Sequence, residues 1–196
     1  MNKNEKIKVI EKASKLLLNN NKEDALEIIN NEYKFEYKKI EKRNYSDREK
    51  LKIFIRDGFI DRYSGEKLLN PGILKVFSIY FPKEFPYHRN WKMNETHIAY
   101  WELVPTINHI NPVAIGGKDE DDNIITTSQL NNSIKSNWTL EQLKWKIYDA
   151  GDIKEWDGLT KTFIELVEND ITLLSDNYIK KWYSISKSFI KEGEYI

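Results

Sequence analysis

The architecture of this chain follows from residues 105–137, PTINHINPVAIGGKDEDDNIITTSQLNNSIKSN. Apolar and β-branched residues predict a strand over 103–110 and a second, short strand over 123–126, joined by a glycine-containing loop. Ser128 stands where a helix N-cap is expected, and the helix is predicted to run to about residue 136. The stretch is therefore predicted to fold as strand, loop, strand and helix.

Residues in this stretch suit the hydrolysis of a phosphodiester bond. His109 closes the first predicted strand, and Asn123 follows 14 residues later. Asn132 and Lys135 lie on the predicted helix. The reaction needs a base that deprotonates water and a hard cation that neutralises charge on the phosphoryl oxygens. Imidazole accepts a proton near neutral pH, and amide oxygens are suitable ligands for Mg²⁺.

The order of these residues resembles the HNH endonucleases, which have a ββα-metal fold. The family pattern is Asp-His-hydrophobic-x-Pro, a glycine-rich loop, Asn-hydrophobic and then Asn-x-x-Lys. The spacing from His109 through Asn123 to Asn132 is similar to that pattern. The resemblance covers about residues 58–150. The family with this pattern includes the HNH domain of CRISPR effector nucleases. The flanking helices look like those of stand-alone bacterial members.

The resemblance implies a role for each motif residue. His109 would be the general base, and Asn123 would orient it. Asn132 would supply a metal oxygen, and Lys135 would hold the helix or contact phosphate. The implied cofactor is Mg²⁺ or Mn²⁺, and the implied product ends are 5′-phosphate and 3′-hydroxyl. Residues 63–68 resemble a turn that many relatives build with zinc-binding cysteines, but the chain has no cysteine, so no zinc site is expected.

One position departs from the family pattern. Asn108 stands where the family has a metal-binding aspartate, and an amide oxygen binds Mg²⁺ without contributing charge. Two neutral amides, Asn108 and Asn132, would hold a divalent cation less well. The expected function is a metal-dependent DNA endonuclease, with slow or silenced cleavage as a hypothesis and restriction or phage defence as a candidate role. The alternative is a catalytically silent DNA-binding protein on the same scaffold.

For several side chains outside the motif, the sequence does not decide between a functional and a structural role. His88, Arg89 and Lys92 are candidates for DNA contact, or belong to ordinary surface. A basic strip either faces DNA or is the solvated side of a helix; it comprises Lys38, Lys39, Lys42 and Arg43. The acids at 119–122 lack the alternating ligands of a calcium loop and indicate a solvated loop tip. Taken alone, His109 also fits a structural histidine bonded to a backbone carbonyl.

Composition excludes several classes of protein. The 196 residues carry 31 Lys and Arg against 31 Asp and Glu, which excludes a globally basic nucleic-acid binder but permits a local basic face. The absence of cysteine excludes disulfide scaffolds, zinc fingers and thiolate nucleophiles. No apolar run reaches the roughly 20 residues of a membrane span, and no signal-peptide core is visible. We expect a cytoplasmic protein that does not interact with membranes.

The remaining pattern predicts helices on both sides of a small β-rich centre. Helices are expected over 5–18, 22–33, 47–56, 140–148, 156–169 and 175–189, and further strands over 59–62 and 73–79. The predicted class is α+β, a ββα-metal core flanked by N- and C-terminal α-helices. We divide the chain into a helical segment (1–57), a nuclease core (58–150) and a second helical segment (151–196). The sequence does not decide between a monomer and a homodimer. Cutting both DNA strands with one active site per chain would require two copies of the chain.

Overall fold

The computed structural model describes residues 1–35, 44–191 and 193. The basic strip at Lys38, Lys39, Lys42 and Arg43 lies outside these residues. The chain combines α-helices with a two-stranded antiparallel sheet, which confirms the α+β class. It divides into two compact units, Met1–Ile40 and Glu41–Ile196. None of the helices in the described ranges has the length and apolar character that a membrane crossing requires.

The first unit is a pair of helices that the sequence predicts. Helix α1 spans Lys3–Leu18 and α2 spans Lys22–Glu32. Asn2 begins α1 with a capping box, in which its side chain accepts from the Glu5 N–H and the Glu5 carboxylate accepts from the Asn2 N–H. The residues buried in the two helices are Val9, Ala13 and Ala25.

The second unit contains the sheet and seven helices among the described residues. In chain order its elements are α3 (Asp47–Arg56), α4 (Pro71–Tyr80), α5 (Ala99–Leu103), β1 (Pro105–His109), β2 (Ile124–Ser128), α6 (Gln129–Lys135), α7 (Leu140–Leu143), α8 (Thr160–Asn169) and α9 (Asn177–Lys191). Short 3₁₀ helices lie at Val113–Ile115, Asp121–Asn123 and Ile171–Ser175. As predicted, Ser46 caps α3 through a capping box with Glu49.

The hydrophobic core of this unit lies where α4, α8 and α9 pack together, with α3 against α9. Fully buried aromatic side chains fill it: Phe54, Phe59, Tyr100, Phe163 and Phe189. Burying one such side chain contributes about 1.5–3 kcal/mol to folding. The Tyr100 hydroxyl is bonded to the Ser78 hydroxyl at 2.7 Å, so its polar atom is satisfied inside the core.

One predicted strand is a helix in the structure. Residues 73–79 belong to α4, which begins at Pro71 after the N-cap Asn70. The Asn70 side chain accepts from the Gly72 N–H at 2.9 Å, and proline is well suited to the first helical position. The branched residues that suggested a strand are largely buried in the helical core. Tertiary burial therefore overrides their strand preference.

Two other predicted elements are shorter than expected. The stretch 59–62 forms a single bridge, Ile60 to Lys67, and no strand. The predicted helix over 140–148 ends at Leu143, because Lys144 takes a left-handed conformation with φ of 58°. The chain then turns so that Trp145 lies against Tyr63, with ring centroids 5.3 Å apart.

The two strands and the helix predicted from 105–137 are present. Strands β1 and β2 pair antiparallel, with Asn108 opposite Ile125 and His109 opposite Ile124. All five residues of β2 are buried, so side chains on both faces of this strand are covered. Ser128 ends β2 and caps α6 at once, since its side chain accepts from the Asn131 N–H. The helix therefore starts directly beside the strand pair.

Helix α3 lies before the boundary at 57/58 that we expected from the sequence, and it packs with elements that follow that boundary. The two compact units separate between residues 40 and 41. Helix α3 packs against α9 and against both strands, so it belongs with the second unit. The C-terminal helices pack against α3 and α4 in the same core.

Candidate functional site

The side chains of Asn108 and Asn132 meet between β1 and α6. The Asn108 amide donates a hydrogen bond to the Asn132 side-chain oxygen. The Asn108 oxygen in turn accepts from the Tyr63 hydroxyl at 2.9 Å. Burial and the nearby Asp61 raise the pKa of Tyr63, so its hydroxyl stays protonated and remains a donor. A strand residue, a helix residue and a turn residue are thus joined in one hydrogen-bonded chain.

His109 is held by a carboxylate from the loop that follows β1. Its Nε2 lies 2.9 Å from Oδ1 of Asp119. The His109 side chain is 27% exposed and that of Asp119 is 19% exposed, so the pair lies at the surface with access to solvent. The hydroxyl of Tyr45 donates to the same oxygen of Asp119. The alternative of a histidine bonded to a backbone carbonyl does not describe this ring.

Asn123 organises the loop between the strands. Its side-chain oxygen accepts from the Asn111 N–H at 2.8 Å. Its amide donates to the carbonyls of Asn111 at 3.0 Å and Lys118 at 2.7 Å. Gly117 lets the backbone of the same loop approach Asn111 closely. A Cβ at this position would lie 1.9 Å from the Asn111 oxygen, so a residue with a side chain would clash there. The structure therefore places Asn123 where a loop-orienting residue was expected.

Lys135 is buried, and its ammonium group is used inside the fold. Its relative exposure is 0%, and Nζ donates to the His109 carbonyl oxygen at 2.7 Å. Burial lowers the pKa of Lys135. Contact with phosphate, one of the two roles expected for Lys135, does not fit this placement. The other expected role, holding the helix, does: Lys135 ties α6 to the end of β1 beside His109.

A buried carboxylate that the sequence analysis did not single out holds the turn at 61–66 onto β2 and α6. Asp61 is 1% exposed and accepts from the backbone N–H groups of Tyr63 and Ser128. It also accepts from the Thr127 hydroxyl and the Asn131 amide. These four bonds fix the turn that carries Tyr63, and through Asn131 they fix the first turn of the helix that carries Asn132.

The basic candidates of the aromatic loop lie in a different environment. Lys92 lies 3.0 Å and His88 lies 3.8 Å from Glu95 carboxylate oxygens, and Arg89 is exposed. Over the described ranges, no hydrogen bond or ion pair joins these three residues to His109 or Asn132. They remain candidates for DNA contact on the surface, and the structure does not gather them into the motif.

The motif offers oxygen donors for a divalent cation but little charge. Asn108 and Asn132 come from different elements, converge and are partly buried. Mg²⁺ binds to a small number of protein oxygens and keeps several waters, so the side-chain oxygens of Asn108 and Asn132 are of a type it binds. In the structure the Asn132 oxygen faces the Asn108 amide nitrogen, and the Asn108 oxygen faces Tyr63. For both to face one ion, the Asn108 amide group has to rotate away from Asn132. No cluster of three or more His, Cys, Asp or Glu suited to a metal is found in 1–35, 44–191 and 193.

Comparisons with known proteins add no family to this geometry. No protein-family model matches the chain, and no match is found among curated proteins or solved structures. The functional conclusion therefore depends on the site and on the resemblance of its motif.

Proposed function

We propose that the chain is a divalent-metal-dependent endonuclease that hydrolyses DNA phosphodiester bonds on an HNH-type ββα-metal core. One observation carries the proposal: a solvent-accessible histidine at the end of β1 lies next to the residue whose amide meets Asn132 of α6. Metal-assisted hydrolysis uses a base that deprotonates water and a cation that is held by protein ligands. The order of the residues along the chain supports the same interpretation.

In this proposal each side chain has a defined task. His109 takes the proton of the attacking water. Asn108 and Asn132 would hold Mg²⁺ or Mn²⁺, which when bound supplies positive charge at the phosphoryl and leaving oxygens. Asn123 holds the loop after β1 through Asn111 and Lys118. Lys135 fixes the His109 backbone through the carbonyl bond.

The test is incubation of supercoiled plasmid DNA with the chain, with and without Mg²⁺ or Mn²⁺. We expect ion-dependent nicking or linearisation by the wild-type chain. We expect His109→Ala to lose at least about 100-fold in rate, because general base catalysis contributes about that factor or more. DNA affinity, measured by fluorescence anisotropy, should stay nearly unchanged. Ser133→Ala, on the exposed side of α6, is the control and should cleave normally.

Two results would contradict the proposal. Equal cleavage by wild type and His109→Ala would remove His109 as the base. No cleavage by the wild-type chain or by Asn108→Asp with any divalent ion would exclude the nuclease function. Fixed cut positions would favour a restriction or defence role, and a continuous smear would favour a nonspecific nuclease.

The second candidate is a DNA-binding protein that keeps the scaffold without catalysis. The observation that favours it is the hydrogen bond between two neutral amides, Asn108 and Asn132, where a charged ligand would hold a cation better. Retained DNA binding, no cleavage by the wild-type chain and gain of cleavage in Asn108→Asp would establish this candidate.

A further inference from the structure

We infer that Asp119 is a positioning residue for His109: it fixes the imidazole tautomer and ring orientation that the base needs, and Tyr45 holds Asp119 in place. The inference depends on the proposed function for its catalytic meaning. Its structural content, a carboxylate that accepts from Nε2 of His109, can be tested on the protein without DNA or metal. The sequence alone indicated only a solvated loop tip at this position.

The two neighbouring residues at the end of β1 are held by different parts of the fold. Asn108 contacts α6, whereas the next residue, His109, contacts the loop that connects the strands. The partner of the imidazole is therefore a residue of the connecting loop, Asp119.

The Nε2 contact determines which nitrogen can act as the base. A carboxylate only accepts, so a neutral His109 must carry its proton on Nε2 to bond Asp119 at 2.9 Å. The lone pair then lies on Nδ1. Nδ1 has no hydrogen-bonding partner in the described part of the chain, so it is available to take a proton from water. When it does so, the negative charge of Asp119 stabilises the imidazolium that forms.

The fold holds Asp119 from two directions. The Tyr45 hydroxyl donates to the carboxylate oxygen that also bonds His109. The preceding residue, Lys118, is fixed through its carbonyl by the buried side chain of Asn123. The hydrogen bonds within the loop thus hold the Asp119 carboxylate next to the His109 ring. Asn123, which orders this loop, therefore acts on His109 through Asp119.

The structural test is NMR of the uniformly ¹⁵N-labelled full chain at mildly alkaline pH. We expect a low-field Nε2–H proton of His109, visible because its bond to a carboxylate slows exchange with water. His109→Gln assigns the resonance, since the chain has three histidines. The resonance should disappear in Asp119→Ala and persist in Asp122→Ala, an exposed acid of the same loop.

The kinetic test is the effect of the same variants on plasmid cleavage. We expect Asp119→Ala to lower kcat by about 10- to 100-fold, the usual effect of losing a residue that orients a functional histidine. KM for DNA should change less than about twofold. Asp122→Ala should match the wild-type chain. Asp119→Asn keeps the size and an acceptor oxygen, so it is the variant to use if Asp119→Ala does not fold; its Nε2–H resonance should move upfield because a neutral acceptor bonds more weakly.

The outcomes separate this inference from the proposed function. If no low-field resonance of His109 is found, or if it is unchanged in Asp119→Ala, the inference is overturned whatever the cleavage assay shows. A kcat for Asp119→Ala equal to that of the wild-type chain also overturns it. If the resonance depends on Asp119 but no variant cleaves DNA, the proposed function fails while the contact between the two residues stands.

Discussion

The side-chain amide of Asn108 donates a hydrogen bond to the side-chain oxygen of Asn132, which joins β1 to α6 at the centre of the candidate site. In this bond the Asn132 oxygen is the acceptor, and the Asn108 oxygen accepts from Tyr63. A divalent cation bound as we propose would have to compete with these two internal hydrogen bonds. On the proposed function, the strength of that competition would decide between an active nuclease and a silent DNA-binding protein.

We expect Asn108→Asp to bind Mg²⁺ more tightly than the wild-type chain, by about tenfold or more. The substitution removes the amide donor and adds a negative charge next to Asn132, and each 1.4 kcal/mol is a factor of ten in affinity. Isothermal titration with Mg²⁺ measures the change. Asn137→Asp adds the same charge at an exposed position after α6 and should leave the affinity unchanged. Equal affinities in all three proteins would contradict the assignment of Asn108 and Asn132 as ligands.

We expect the stability contributed by Lys135 to increase with pH in the alkaline range. Burial lowers the pKa of Lys135 below its ordinary 10.5, so the unfolded chain binds more protons at this residue between the two pKa values. The free energy of unfolding of the wild-type chain, minus that of Lys135→Met, should therefore rise as the pH approaches 10.5. Urea unfolding followed by tryptophan fluorescence reports on the second unit, which contains all six tryptophans. A difference that is constant with pH would show that burial does not perturb this ammonium group.

We expect Asp61→Ala to destabilise the second unit by about 3–5 kcal/mol. The substitution leaves four donors without their acceptor, two of them buried backbone N–H groups, and each buried unsatisfied group costs about 1–3 kcal/mol. The shift in the urea midpoint measures the loss. Asp122→Ala removes an exposed carboxylate and should change stability by less than about 0.5 kcal/mol. Similar small effects of both variants would mean that water replaces Asp61 at the turn.

We expect Gly117→Ala to open the loop between the strands and to cost about 1–3 kcal/mol. The added Cβ would lie 1.9 Å from the Asn111 oxygen, so the backbone has to shift. Amide hydrogen exchange should become faster at Asn111, whose N–H is bonded to Asn123. Gly117 is not among the glycines with positive φ, so the cost comes from the clash and not from an unfavourable backbone conformation of alanine. Unchanged exchange at Asn111 in Gly117→Ala would show that the loop tolerates the contact.

Local signals in the sequence predicted the elements of the motif. The capping residues Ser46 and Ser128 begin helices as expected, because a cap depends on side chains within three residues. The strands of 105–128 were also predicted, from their apolar and β-branched residues, and the structure has them at Pro105–His109 and Ile124–Ser128. By contrast, residues 73–79 form a helix that packs against α8 and α9. Asn70 and Pro71 mark its start locally, but the branched residues that follow favour a strand.

The carboxylates that shape the site could not be predicted in the same way. Asp61 and Asp119 act on residues that lie 67 and 10 positions away, at Ser128 and His109. Their roles depend on how a turn and a loop close in three dimensions. In the sequence each is one acid among 31, and position alone does not distinguish a buried acceptor from a solvated charge. For Lys135 the sequence indicated two roles, and the structure separates them: the side chain is buried and bonded to the His109 carbonyl, so it holds the helix.

The turn that carries Tyr63 is closed by the carboxylate of Asp61, which accepts from the backbone N–H groups of Tyr63 and Ser128. The chain has no cysteine, so thiol oxidation has no target at this turn. The placement of the Tyr63 hydroxyl beside Asn108 therefore does not depend on the redox state of a side chain.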